Sequence, residues 1–289
     1  MKNSELLLAA SVPLLWGFGF TFTKFGLNEF PPLFLMGLRF SLASLVLIWF
    51  VPIPRGQLKQ IFWISFVGST LRYGMTYTGL SMIDASLAII IMQLGVPFSV
   101  LLAAILFKDK PGIQRILGML ISFAGIILIA GQPSLISQLP AILLTAAGAM
   151  MWALGQVMVK RLENPPSGFA LTAWIGVFSG PQMILGSFIF EESQLESLAN
   201  ASWIGLGVIL YLALIMTVLG YGIWYRVLSR NPVSKVMPVM LLLPVFTIVS
   251  SMLFLGEQPS LMNFIGAAVV FGGVAMIVLT KNSELASRK

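Results

Sequence analysis

Neither cysteine nor histidine occurs in this chain. The first absence excludes disulfides and thiolate metal sites. The second removes the commonest metal ligand and the usual near-neutral proton carrier. Charge is scarce too, with Asp, Glu, Lys and Arg making up 9% of the 289 residues, against about 25% in a soluble domain. So few charges cannot cover a water-facing surface. The chain also lacks a clustered acid, base or metal constellation of the kind an enzyme needs, and a nucleotide-binding P-loop. Catalysis and ATP hydrolysis therefore have no residues to carry them, and no cofactor or metal is expected.

What fills the chain is apolar: 58% hydrophobic residues and a mean hydropathy of +0.96. A helix needs about 20 mostly apolar residues to cross a bilayer. The gaps between charges supply such lengths at 6–23, 30–54 (carrying only Arg39), 60–83 (carrying only Arg72) and 85–107. Residues 116–159 carry no charge and are too long for one span; GQPSLISQLP at 131–140, with two prolines, reads as the turn between two. Residues 164–190, 197–225, 236–256 and 258–280 complete ten spans. The expected fold is an all-α polytopic membrane protein. The first run starts at Leu6 after one lysine, lacks a clear small-residue cleavage site, and reads as a retained span.

The net charge of +7 is scattered at the ends of apolar runs, which is a topology signal and not a nucleic-acid face. With a cytoplasmic N-terminus, fourteen of the seventeen Lys and Arg residues fall inside. The outer loops then hold Glu29, Asp84, Glu191, Glu192, Glu196 and Glu257, with no Lys or Arg. Both termini are therefore expected in the cytoplasm, the protein lying in the inner (plasma) membrane. Lys24, Arg39 and Arg72 are the exceptions.

The chain also repeats itself. WGFGFTFTKF (16–25) returns as WALGQVMVKR (152–161), pairing Trp16, Gly19 and Lys24 with Trp152, Gly155 and Lys160 at an offset of 136. YGMTYTGLSMIDAS (73–86) aligns with YGIWYRVLSRNPVS (221–234) at 148, and KDKP (108–111) with GEQP (256–259) at the same offset. The alternative is chance likeness among apolar helices, but aligned Trp, Tyr and Pro are less common than aligned Leu. Each copy holds five spans, and an odd number forces the second to enter from the opposite side. Inverted repeats are typical of secondary transporters, with substrate bound near the midplane between them.

WGFGFTFTKFG followed by PPLFLMGLRF, the late GEQP and the five-plus-five repeat together resemble the drug/metabolite transporter superfamily, and within it the EamA-type exporters, particularly the O-acetylserine/cysteine exporter group. The resemblance covers essentially the whole chain. It implies ten transmembrane helices as two inverted five-helix repeats around a central cavity, helices 5 and 10 standing apart as a buttress. The repeats would run over 1–132 and 138–281, with a cytoplasmic tail at 282–289. One departure is KDKP, where the family often has Gly-Glu as at Gly256–Glu257.

Candidate substrate contacts follow from residues out of place in lipid. Arg39 lies about 12 Å into the second span, at 1.5 Å per residue. Arg72 lies at similar depth in the third, and Lys24 sits near the outer end of the first. Buried charges usually face the bundle interior or a wet cavity, where these would attract a carboxylate. The alternatives are snorkelling for Lys24 and ion pairs with Glu29, Asp84 or Glu257 for the arginines. Trp16 and Trp152 stand mid-span, away from the interfaces that tryptophan favours. Tyr73 and Tyr77 share a helix face, as do Tyr221 and Tyr225. Gln93 and Gln156 are polar groups within spans that either contact substrate or join helices. Pro97 and Pro244, at near-equivalent places in spans 4 and 9, are candidate hinges. The function expected is export of amino acids or related small metabolites, the alternative being carriage of a drug, nucleoside or lipid-linked sugar. The partners are a small-molecule substrate and the lipid bilayer, with no nucleic acid, for a monomer or homodimer.

Overall fold

A computed structural model describes residues 3–107, 111–231 and 236–279. Lys2, Lys108, Asp109, Lys110, Lys235, Lys281, Arg288 and Lys289, with the tail at 282–289, lie outside the described residues. Every regular element among the described residues is helical. Eight stretches are long and apolar enough to cross a membrane: Glu5–Leu27, Pro32–Phe50, Ala85–Phe107, Ile113–Ala130, Leu135–Lys160, Gly168–Phe190, Trp203–Arg230 and Leu261–Leu279. The other two expected spans are helical but different in kind. One is the short apolar helix Val239–Phe254. The other runs through Arg72 and a polar tyrosine- and threonine-bearing face, which lowers its mean apolarity.

The helices, in order, are α1 (Asn3–Leu27), α2 (Pro32–Leu47), α3 (Leu58–Ser65), α4 (Arg72–Met82), α5 (Ala85–Met92), α6 (Gly95–Phe107), α7 (Ile113–Ala130), α8 (Leu139–Lys160) and α9 (Gly168–Phe190). They continue with α10 (Gln194–Ala199), α11 (Trp203–Leu210), α12 (Gly220–Arg230), α13 (Leu242–Phe254) and α14 (Leu261–Leu279). A π-helical segment, Phe66–Leu71, joins α3 to α4. Another, Tyr211–Leu219, joins α11 to α12. The two overlap when the chain is shifted by the 148 residues that align Tyr73 with Tyr221.

Pro97 and Pro244 each open a helix. A two-residue turn at Gln93–Leu94 separates α5 from α6, closed by i→i−3 bonds such as Val96 N to Gln93 O at 3.1 Å. A 3₁₀ turn, Met237–Leu241, precedes α13. Pro97 and Pro244 are each the third residue of the new helix, within the first turn, where a missing N–H costs nothing. Pro97 and Pro244 thus follow breaks in the helix, whereas Pro13 and Pro181 lie inside the continuous helices α1 and α9.

Small residues decide which helices touch. α7 packs along α14, α2 along α9, α4 along α8, and α1 along α13 and α12. A Cβ on Gly118 would meet Gly273 O at 2.6 Å, so α7 and α14 are in backbone contact. At the first π segment, a Cβ on Gly155 would lie 2.5 Å from the Gly68 Cα. At the second, a Cβ on Gly19 would lie 2.7 Å from Met216 Sδ. Gly19 and Gly155 are aligned at offset 136, and Gly68 and Met216 at offset 148, so two pairs matched in sequence make matched contacts in space.

The outside of the bundle is apolar, with Trp203 90% and Phe190 81% exposed near one set of helix ends and Trp49 83% exposed near the other. Aromatic side chains at both ends fit the two interfaces of a bilayer, and the chain is a multi-pass membrane protein. Gly155→Leu has no room at the Gly68 crossing and should cost at least about 1–3 kcal/mol, the usual range for overpacking. A fluorescence-monitored melt in detergent reads this, with Gly112→Ala, which meets nothing within 4 Å, as the silent control. An unchanged melting temperature for the leucine variant would show that this crossing is not tight.

Candidate functional site

The centre of the bundle is built on two tyrosine ladders. Tyr73 and Tyr77 are four apart on α4, and their rings stack at 5.4 Å and 28°. Tyr221 and Tyr225 do the same on α12, at 6.1 Å and 25°. The two ladders approach each other at Tyr73 and Tyr221. Trp16 of α1 leans on Tyr221 at 4.9 Å and Trp224 at 6.2 Å. Its indole N–H donates to Met216 O at 2.9 Å, a carbonyl of the second π segment.

That segment also fixes the deepest charge. Thr217 Oγ1 donates to Leu212 O at 2.8 Å, five residues back, and accepts from Arg39 Nε at 3.0 Å. Arg39, on α2, is 1% exposed. Its guanidinium lies 5.0 Å from the Phe40 ring centroid and 5.5 Å from that of Tyr73. Tyr77 is close by, and the Met36 thioether is a weak neighbour at 3.9 Å. Arg72 lies over Tyr73 at 4.5 Å and over Trp152 at 5.9 Å. Among the described residues, neither arginine has a carboxylate within 4.0 Å; the described ion pair is Arg230 with Glu5, at 3.8 Å. The ion pairs considered from sequence are not formed.

Eight nominated residues therefore share one cluster: Trp16, Arg39, Arg72, Tyr73, Tyr77, Trp152, Tyr221 and Tyr225. Gln93 lies in the turn before α6, close in sequence to Gly95, whose missing side chain makes room for the Trp152 ring. Gln156 is exposed. Lys24 is elsewhere: its Nζ donates to Leu80 O at 2.9 Å and Ile83 O at 2.8 Å, capping the end of α4. Thr217 was not among the nominated residues. As the one aliphatic hydroxyl in the run YLALIMTVL it gave a signal, but only the π register aims it at Arg39.

The carboxylates expected in the outer loops act near helix starts. Glu191 accepts from Leu33 N and Phe34 N at 2.8 and 3.2 Å, at the start of α2. Glu257 accepts from Ala85 N and Ser86 N at 2.6 and 3.0 Å, at the start of α5. Glu29 accepts from Ser202 N and Ser202 Oγ at 2.8 and 2.6 Å, ahead of α11. Each places an anion on unpaired N–H groups at a positive helix end. Asp84, beside Glu257, is the N-cap of α5. Burial pushes its carboxyl above the usual carboxylate range, the Glu257 charge adds to this, and the Lys24 ammonium opposes it. No cluster of metal-binding side chains occurs among the described residues.

A profile described as the EamA-like transporter family matches residues 3–131 and 139–279. A protein of Escherichia coli (strain K12), named a "Probable amino-acid metabolite efflux pump", is 29% identical over 283 residues, covering 95% of this chain and 94% of its own. An "Uncharacterized transporter" of Archaeoglobus fulgidus is 26% identical over 289 residues, covering 95% and 97%. A solved crystal structure, 19% identical, superimposes with a TM-score of 0.63 over 100% of this chain and 98% of the other, which establishes a shared fold.

Because the Asp84 pKa is raised on folding, the penalty for its charge is absent at low pH and grows as pH rises through the folded value. Asp84→Asn should therefore melt higher than the parent at neutral pH, with the difference vanishing in acid, below the ordinary carboxylate range. Melting curves across that window test this; a variant less stable at neutral pH would reverse the sign.

Proposed function

Since this chain belongs to the EamA-like transporter family, we propose that it exports amino acids or related small metabolites by alternating access. In this reading it has ten spans in two inverted repeats, over 1–132 and 138–281, with both termini cytoplasmic. One observation carries the solute reading. Arg39 is a buried guanidinium held by a hydroxyl and two ring faces, with no carboxylate within 4.0 Å among the described residues. Burying an ion costs several kcal/mol on the order-of-magnitude scale, unless a counter-charge offsets it. A solute carboxylate offers that counter-charge.

The inverted reading is supported by paired features. Each half has a π segment, a stacked tyrosine pair and a helix reopened at proline. Trp16 faces Gly220 across the second π segment, and Trp152 faces Arg72 at the matched place across the first. The halves match in shape but not in charge, since the place of Arg72 is taken by Gly220 and the tyrosine ladders meet between them. The breaks before Pro97 and Pro244 and the two π segments supply weak points in four spans about which the halves can rock. The relatives' names support a membrane transporter, and the paired acid groups an enzyme needs are lacking around the cluster.

The test is purified protein in proteoliposomes, assayed for uptake and efflux of a panel of amino acids and their derivatives, with and without a pH gradient. We expect flux of at least one carboxylate solute. Arg72→Gln should lower it about tenfold or more, the scale of one lost charge-assisted contact, while the variant still inserts in the membrane. Full activity in that variant would remove Arg72 from the substrate path, and absence of flux for the whole panel would remove the carrier reading.

A further inference from the structure

The charge inventory of the cluster narrows its solute. Two guanidiniums, Arg39 and Arg72, share the Tyr73 ring. Within the ten expected spans no Asp or Glu occurs, and Glu29, Glu191 and Glu257 are spent on backbone amides at the outer helix ends. A zwitterionic amino acid brings its carboxylate to this place together with an ammonium a few ångströms away. The carboxylate gains two cationic neighbours, but the ammonium gains none of opposite sign. Aromatic faces are the usual substitute, yet Phe40 and Tyr73 already carry Arg39, and Tyr73 and Trp152 already carry Arg72. The ammonium would add a third positive charge to a desolvated site. Trp16, Phe20 and the four tyrosines supply apolar and aromatic surface for the rest of the molecule.

We propose that the selected solute is a monoanionic carboxylate with an apolar or aromatic body and no free ammonium, either an N-acylated amino acid or an arylcarboxylate, and that its export moves one net negative charge outward. This rests on the carrier reading above and narrows it. It also supplies a driving force. The spans hold no acid or histidine to couple solute to protons, whereas an inside-negative membrane potential acts directly on an anion leaving the cell. Thr217 is a positioning residue in this scheme: its hydroxyl holds Arg39 Nε, leaving for the solute carboxylate the terminal nitrogens, of which Nη1 has only the weak Met36 thioether contact at 3.9 Å.

Proteoliposomes are loaded in turn with N-acetylphenylalanine, phenylacetate, phenylalanine and phenethylamine, and efflux is followed under potassium diffusion potentials of either sign. For at least one of the two anions kcat/KM should exceed that of phenylalanine about tenfold or more, the least expected from like-charge repulsion at a partly desolvated site. Phenethylamine should not move. Preference for N-acetylphenylalanine assigns the N-acyl class, and preference for phenylacetate the arylcarboxylate class. Anion efflux should quicken with the interior negative and slow with it positive. Thr217→Val should raise KM for the preferred anion about tenfold, as expected for one hydrogen bond to a charged group, and Thr217→Ser should restore it. Phenylalanine transported as well as the anions, or anion flux indifferent to potential, overturns this inference while leaving a carrier in place. Absence of flux for these solutes and for the wider amino-acid panel overturns both.

Discussion

The hydrogen bond from Arg39 to Thr217 ties together α2, the second π segment and the aromatic centre. Thr217 can accept it because its own proton is engaged by Leu212 O, a carbonyl five residues back that an ordinary α-helical register would have assigned otherwise. The same segment turns Met216 O towards the Trp16 indole. One local change of helical register thus positions both the deepest cation and the tryptophan of the first span. A buried guanidinium held this way has a partner for its Nε but no carboxylate within 4.0 Å among the described residues. That imbalance is what a bound anion would correct.

Around this centre the molecule repeats each device. Two π segments, two tyrosine ladders, two helices restarted at proline and two tight crossings at small residues stand in matched positions. Such elements cost helix stability locally, and close packing at Gly155 with Gly68 and at Gly118 with Gly273 holds the bundle around them. Where charge enters, the matching ends. Arg72 has Gly220 as its counterpart, and the carboxylate caps by Glu29, Glu191 and Glu257 all lie at the same end of the expected topology. Shape is shared between the halves, while electrostatics distinguishes them.

Much of this was legible in the chain. Charge-free runs located the helices because lipid forbids unpaired charge, and the Trp and Tyr alignments located the aromatic centre because those side chains are uncommon in mid-span. Less legible were events of hydrogen-bond register. The π segments read as plain apolar helix in sequence, so Thr217 was invisible as a partner for Arg39. Lys24 looked like a third cation facing the solute, whereas its ammonium reaches the carbonyls that end α4, a contact set by how α4 stops and not by any pattern around residue 24.

The most direct measurement is an experimental structure of the protein in lipid nanodiscs with a transported carboxylate bound. The account predicts the carboxylate oxygens within hydrogen-bond distance of the Arg39 guanidinium, with Thr217 still holding Nε and the solute body against the tyrosine ladders. A solute bound elsewhere, or Arg39 paired with a carboxylate of the protein itself, would contradict it.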